Sequence, residues 1–131
     1  MMKRIVLAVL AVFVAWSVLD IVIHGVILAP TYRDTAQLWR PMNEMKMGLM
    51  HVVVLISAAV FVGLYAFFVG KKSVATGIKF GLLFGIGAGI SMGYGTFAVQ
   101  PIPYKIAFTW FAGTVVEATV AGWLTGLIVK E

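Results

Sequence analysis

Four long apolar runs, separated by short polar segments, restrict what this chain can fold into. They cover about residues 5–29, 48–69, 77–99 and 106–129. Each is about 20 residues or longer, which is the length an α-helix needs to cross the hydrocarbon core of a bilayer. Lipid offers no hydrogen-bond partners, so a spanning segment must satisfy its backbone as a helix. The pattern predicts an all-α integral membrane protein, a single domain over residues 1–131, with four transmembrane helices in an up-down-up-down antiparallel bundle.

The composition agrees with membrane residence. Hydrophobic residues make up 62% of the chain and charged residues 11%, whereas soluble domains carry about 25% charged residues. The first run begins like a secretory signal peptide, but it is longer than one and no small-x-small cleavage site follows, so we expect a retained span. The absence of cysteine excludes disulfides and thiolate ligands.

The basic residues predict an orientation rather than a nucleic-acid surface, because they lie at the ends of the apolar runs. The side that holds both termini also holds the doublets Lys3–Arg4 and Lys71–Lys72. Basic residues concentrate in cytoplasmic loops of membrane proteins. We therefore expect cytoplasmic termini in a prokaryotic inner or plasma membrane, no nucleic-acid partner, and an external loop over residues 30–47. Within that loop, residues 35–39 are predicted to form a short helix at the membrane surface.

Glycine recurs at every fourth position of the third run. These glycines form one face, here called the glycine face: Gly77, Gly81, Gly85, Gly89 and Gly93. In lipid, small residues at this spacing let two helix backbones approach closely, as in a glycine zipper. The fourth run is the expected partner, because it carries Gly113, Ala121, Gly122 and Gly126. Its stripe of Gly113, Glu117 and Ala121 is expected to turn toward the glycine face. That arrangement would place Glu117 close to Gly89.

Ionisable residues inside the predicted spans are the candidate functional groups. They are Asp20, His24, His51 and Glu117, and Tyr94 lies at a similar depth. At about 1.5 Å of rise per residue, all five fall in the external half of the bundle. Charges inside a bilayer are costly unless paired or hydrated, and they often mark proton or ion pathways. Two interpretations stay open: a polar network that fixes helix register, and a site that handles a proton, a cation or a small ligand.

A metal or haem site is the sharper alternative. Four methionines and a histidine crowd the external loop and the entry of the second span: Met42, Met45, Met47, Met50 and His51. Met47, Met50 and His51 share a helix face. Thioether and imidazole ligands suit Cu(I), and His24 would add a further imidazole. Haem between His24 and His51 is also geometrically conceivable. The plainer interpretation is that methionines at a membrane boundary are flexible apolar filler.

Three classes of function follow from these features. The first is transport or handling of a proton, cation or small ligand, and the second is a copper- or haem-binding membrane protein. The third is a non-catalytic structural or assembly subunit of a larger membrane complex. No motif for a catalytic nucleophile is present in the sequence, so enzymatic activity has little support. The expected partners are the bilayer and either a second copy of the chain or other subunits of a complex, because four short helices enclose little volume.

Overall fold

The structure, a computed structural model, describes residues 1–130, and within that range it is helical with no strand. Five helices follow one another: α1 Met2–Ile27, α2 Ala29–Asp34, α3 Met47–Phe68, α4 Val74–Val99 and α5 Tyr104–Ile128. All but α2 are long and apolar enough to cross a membrane. The prediction of an all-helical chain with four long apolar helices is therefore confirmed.

Both α1 and α4 contain a π-helical segment, at Ile23–Ile27 and at Ile90–Gly95. In α1 the wider turn is closed by the backbone N–H of Leu28, which donates to the carbonyl of Ile23 at 2.9 Å. Segments of this kind are rare inside α-helices and frequently occur at functional sites. The one in α1 holds His24 and precedes the bend into α2.

The loop after α1 differs from its prediction. The helix expected over residues 35–39 is only a 3-10 turn, Ala36–Leu38, and the α-helix in this region is the earlier α2. Pro30 lies in the first turn of α2. Proline is tolerated there because the N–H that it lacks would have no partner within the helix.

The glycine face of α4 lies directly against the backbone of α5. A Cβ atom added to Gly85 would lie 2.8 Å from the Cα of Val115, and one added to Gly89 would lie 2.9 Å from the carbonyl oxygen of Phe111. Glycines later in α4 contact residues earlier in α5, so the two helices run antiparallel. Gly87 points away from this contact, with nothing within 4 Å of an added Cβ.

The face of α5 that meets the glycines is the expected one in part, because it includes Gly122 and Gly126 but not Gly113 or Ala121. It consists of Ala107, Phe111, Val115, Ala118, Gly122 and Gly126. This stripe contains two glycines, so it permits closer backbone approach than the stripe of Gly113 and Ala121. Gly113 packs instead against Ile23 of α1, whose Cδ1 lies 2.9 Å from an added Cβ. The expectation that Glu117 lies close to Gly89 is therefore wrong, because Glu117 belongs to the side of α5 that faces α1.

The dense part of the core lies at the end of the bundle that carries the start of α1 and the end of α5. There the ring of Phe61 makes edge contacts with Phe80 and Phe84, each at 5.1 Å, and with Trp16 at 5.7 Å. All buried residues of α3 belong to its second half, from Ala58 onward. None of residues 47–57 is buried, so the first half of α3 stands apart from the other helices.

A second, smaller core closes the opposite end, here called the loop end because it carries residues 28–46. It consists of Ile23, Leu28, Ile102, Ile106 and Ala107, with Tyr32, Leu38, Trp39 and Trp110 packed against it. The segment after α1 therefore folds back over the start of α5. A cleft lies between the two cores.

Candidate functional site

The cleft has a volume of about 700 Å³ and is bounded by all four long helices. Its walls are mostly aliphatic and aromatic, and its ionisable residues are Asp20, His24 and Glu117. Neither lysine nor arginine is among the described residues that line it. The cleft exists because the aromatic contacts of α3 lie in its second half, which leaves its first half away from α1 and α5.

Asp20 of α1 and Glu117 of α5 meet inside this cleft. The two carboxyl groups lie close enough to interact directly. One turn earlier on α1, the Nε1–H of Trp16 donates to the carbonyl oxygen of Glu117 at 2.7 Å, which fixes the register of the two helices at this level. An ionised carboxylate is an acceptor only, so a hydrogen bond between two carboxyl groups requires a proton on one of them.

His24 continues the polar contacts toward the loop end. Its Nδ1 lies 2.7 Å from the hydroxyl of Tyr32, and that hydroxyl accepts a hydrogen bond from Nε1–H of Trp110 at 2.8 Å. The indole N–H of Trp110 can only donate, so the Tyr32 hydroxyl accepts from it. The hydroxyl hydrogen of Tyr32 then points at Nδ1 of His24. Nδ1 of His24 is therefore an acceptor, which assigns the ring hydrogen of the neutral imidazole to Nε2. Nε2 faces Oδ1 of Asp20 at 4.0 Å, which is an ion-pair distance rather than a hydrogen bond.

Aromatic rings cover His24 at the loop end. The ring of Tyr32 stacks on the imidazole at 5.9 Å and meets Trp39 edge-on at 5.3 Å, and Trp39 lies 6.0 Å from Trp110. Burial raises the pKa of Tyr32, and the hydrogen bond from Trp110 opposes that effect only in part. The phenol therefore stays protonated at neutral pH and keeps its donor role toward His24.

The structure does not bring the other two predicted site residues to the cleft. His51 lies on the exposed first half of α3 and is not among the lining residues. The hydroxyl of Tyr94 lies 2.9 Å from that of Tyr104, and its ring packs on Phe111 at 5.8 Å, outside the cleft lining. The site therefore unites Asp20, His24 and Glu117.

The metal hypotheses gain no support from the arrangement of the side chains. Within residues 1–130, no group of three or more histidine, cysteine, aspartate or glutamate side chains is placed to hold a metal ion. Of the four proposed ligands, His24 and Met50 line the cleft, whereas Met47 and His51 do not. A copper site built on methionine and histidine therefore stays a prediction, and so does haem between His24 and His51.

Trp16, Tyr32 and Trp110 are parts of the site that sequence reasoning missed. A signal for the first was present, because Trp16, Asp20 and His24 follow one another at four-residue spacing and so share one face of α1. Trp110 precedes Glu117 by seven residues, two helical turns on α5. No comparable signal marks Tyr32, which reaches His24 only because the chain bends after the π segment.

These features define a small helical protein with four candidate membrane spans and a cleft that contains a carboxyl pair. No family profile matches the chain, and neither a curated protein nor a solved structure is significantly similar to it. The function is therefore argued from the geometry of the cleft.

Proposed function

We propose that this chain is an integral membrane protein that binds a proton at the Asp20–Glu117 pair and exchanges it with one side of the membrane through His24 and Tyr32. The observation that carries the proposal is the close approach of the two carboxyl groups in a cleft between four apolar helices. Of the three classes of function that the sequence suggests, this is the first, the handling of a proton, a cation or a small ligand.

Membrane insertion is supported by the surfaces of the long helices. Large apolar side chains point outward along all of them; Ile21 is 67% exposed and Leu83 is 71% exposed. Apolar surface of this extent is rare on soluble monomers and is stable in lipid. The helices then cross the membrane in an up-down-up-down order, with both termini in the cytoplasm and the loop end outside.

The retained proton follows from the charges around the pair. Two carboxylates in contact cannot both be ionised at low cost, because their repulsion is strong in an apolar site. No lysine or arginine among the cleft residues offsets that repulsion. One proton shared by the pair removes that repulsion and also supplies the donor for a hydrogen bond between them.

The exchange route follows from the order of contacts along α1. His24 faces Asp20 through one ring nitrogen and Tyr32 through the other. An imidazole with a donor at one nitrogen and an acceptor at the other can receive a proton on the first and release one from the second. Tyr32 then lies between His24 and the surface of the loop end. The described contacts give no matching polar path toward the dense core, so the exchange is with the loop-end side.

Infrared spectroscopy of the purified protein tests the proton. A protonated carboxyl group has a carbonyl stretching band that a carboxylate lacks, and we expect this band at neutral pH. Glu117→Gln and Asp20→Asn should each remove it. Asp34→Asn is the matched control, since Asp34 lies on α2 outside the cleft and is exposed. A wild-type protein without the band at neutral pH would show that the pair holds no proton.

A further inference from the structure

We infer that the cleft binds a hydrophobic organic cation in exchange for the proton of the carboxyl pair. This inference rests on the proposed function and names the class of ligand that the site takes. It follows from the charge of the cleft, the nature of its walls and its access.

The charge of the cleft favours a cation. Facing the pair are His24 on α1 and, beyond it, Tyr32 on α2, while the residues of α3 and α4 that line the cleft carry no ionisable group. When the shared proton leaves, both carboxylates are charged in an apolar site without a lysine or arginine to balance them. Entry of one monovalent cation with release of one proton keeps the net charge of the cleft unchanged. The exchange thus avoids the cost of a second unpaired negative charge in the cleft.

The walls select an organic ion rather than a hydrated metal ion. Hard metal ions require several oxygen ligands, whereas most of the cleft surface here is aliphatic or aromatic. The rings of Trp16, Phe84 and Trp110 contribute to the lining, and aromatic faces attract organic cations. Met50 and Met92 add flexible apolar surface that adapts to different shapes.

The size and access of the cleft fit such a ligand. A volume of about 700 Å³ lies within the range of sites for drug-sized molecules. The side chain of His24 is 44% exposed and that of Asp20 is 33% exposed, so the polar end of the cleft has a mouth. That mouth lies beside the first half of α3, which has no buried residue.

Equilibrium dialysis with tetraphenylphosphonium tests the inference on the detergent-purified full chain. Binding should be saturable, and its affinity should rise about tenfold per pH unit wherever one proton is displaced. A pH indicator in weak buffer should report release of up to one proton per bound cation. Tetraphenylborate has the same shape with a negative charge, and equal binding of that anion would show that the cleft is only an apolar site.

Three variants separate the charge of the cleft from its space. Glu117→Gln should weaken tetraphenylphosphonium binding at least tenfold and abolish its pH dependence. Ser57→Trp places a large ring in the cleft from α3 and should block binding while the infrared carboxyl band persists. Glu44→Gln changes an exposed carboxylate of the turn Met42–Glu44 and should leave binding unchanged.

The outcomes distinguish the inference from the proposed function. A protein that keeps the carboxyl band but does not bind the phosphonium ion retains its proton site and refutes the cation site. A protein that binds the ion without pH dependence and lacks the band refutes both the proton site and the exchange. If Glu117→Gln does not fold, the Ser57→Trp variant and proton release by the unaltered protein still test whether the cleft binds the cation in exchange for a proton.

Discussion

Replacing Gly85 by alanine tests the close contact between α4 and α5. The new Cβ would lie 2.8 Å from the Cα of Val115 and 3.0 Å from the Cβ of Ala118, and neither atom can move without its helix. Ordinary contact begins at 3.4 Å, so the helices must separate by about 0.6 Å, the difference between 2.8 Å and 3.4 Å. Overpacking of this kind typically costs about 1–3 kcal/mol.

Gly87→Ala provides a matched control on the same helix. An added Cβ at this position meets nothing within 4 Å, so the free energy of unfolding should change by less than about 0.5 kcal/mol. Gly85 and Gly87 are two residues apart on α4, and both substitutions add one methyl group. The two variants therefore differ mainly in the contact with α5.

Reversible unfolding of each variant in mixed micelles, followed by circular dichroism, measures the difference. We expect the unfolding equilibrium constant of Gly85→Ala to exceed that of Gly87→Ala by about 5- to 150-fold, which corresponds to 1–3 kcal/mol. Equal unfolding free energies for the two variants would refute the close packing of α4 on α5.

Two further predictions concern the turn between α3 and α4 and the orientation of the bundle. The hydroxyl of Tyr65 donates to the carbonyl of Ser73 at 3.0 Å and accepts from the N–H of Ser73 at 3.1 Å. Tyr65→Phe should therefore lower the free energy of unfolding by about 1–3 kcal/mol in the same assay. A loss no greater than that of the exposed Tyr104→Phe would contradict this prediction. The chain has no cysteine, so a single introduced cysteine is the only site that a maleimide can label. Lys71→Cys and Gln37→Cys should react with an impermeant maleimide from opposite sides of the membrane. Labelling of both variants from the same side would overturn the proposed up-down order.

The sequence could predict the four long helices because hydropathy and length act locally along the chain. It could also indicate α5 as the partner of the glycine face, since small residues must meet small residues for backbones to approach. It could not fix the rotation of α5, which carries two small-residue stripes, one with Gly113 and one with Gly122. The choice depends on distant contacts, such as the packing of Ile23 against Gly113.

The same limit applies to the candidate site. Asp20 and His24 could be paired from their four-residue spacing, but the orientation of His51 could not, because a helix that is apolar all round gives no pattern from which to choose its inward face. The role of Tyr32 depends on the π segment of α1 and the bend at Leu28. These are properties of the folded chain that no local pattern in the sequence predicted.

The uneven packing of α3 has a mechanical consequence. Its second half is held by the rings of Phe61 and Tyr65, whereas residues 47–57 contribute nothing to either core. Swinging this half outward about the Phe61 contacts would therefore expose no buried side chain of α3 itself. In such a motion the Phe61 contacts would be the pivot, and residues 47–57 would move at the mouth of the cleft. The backbone contact between α4 and α5 would stay unchanged.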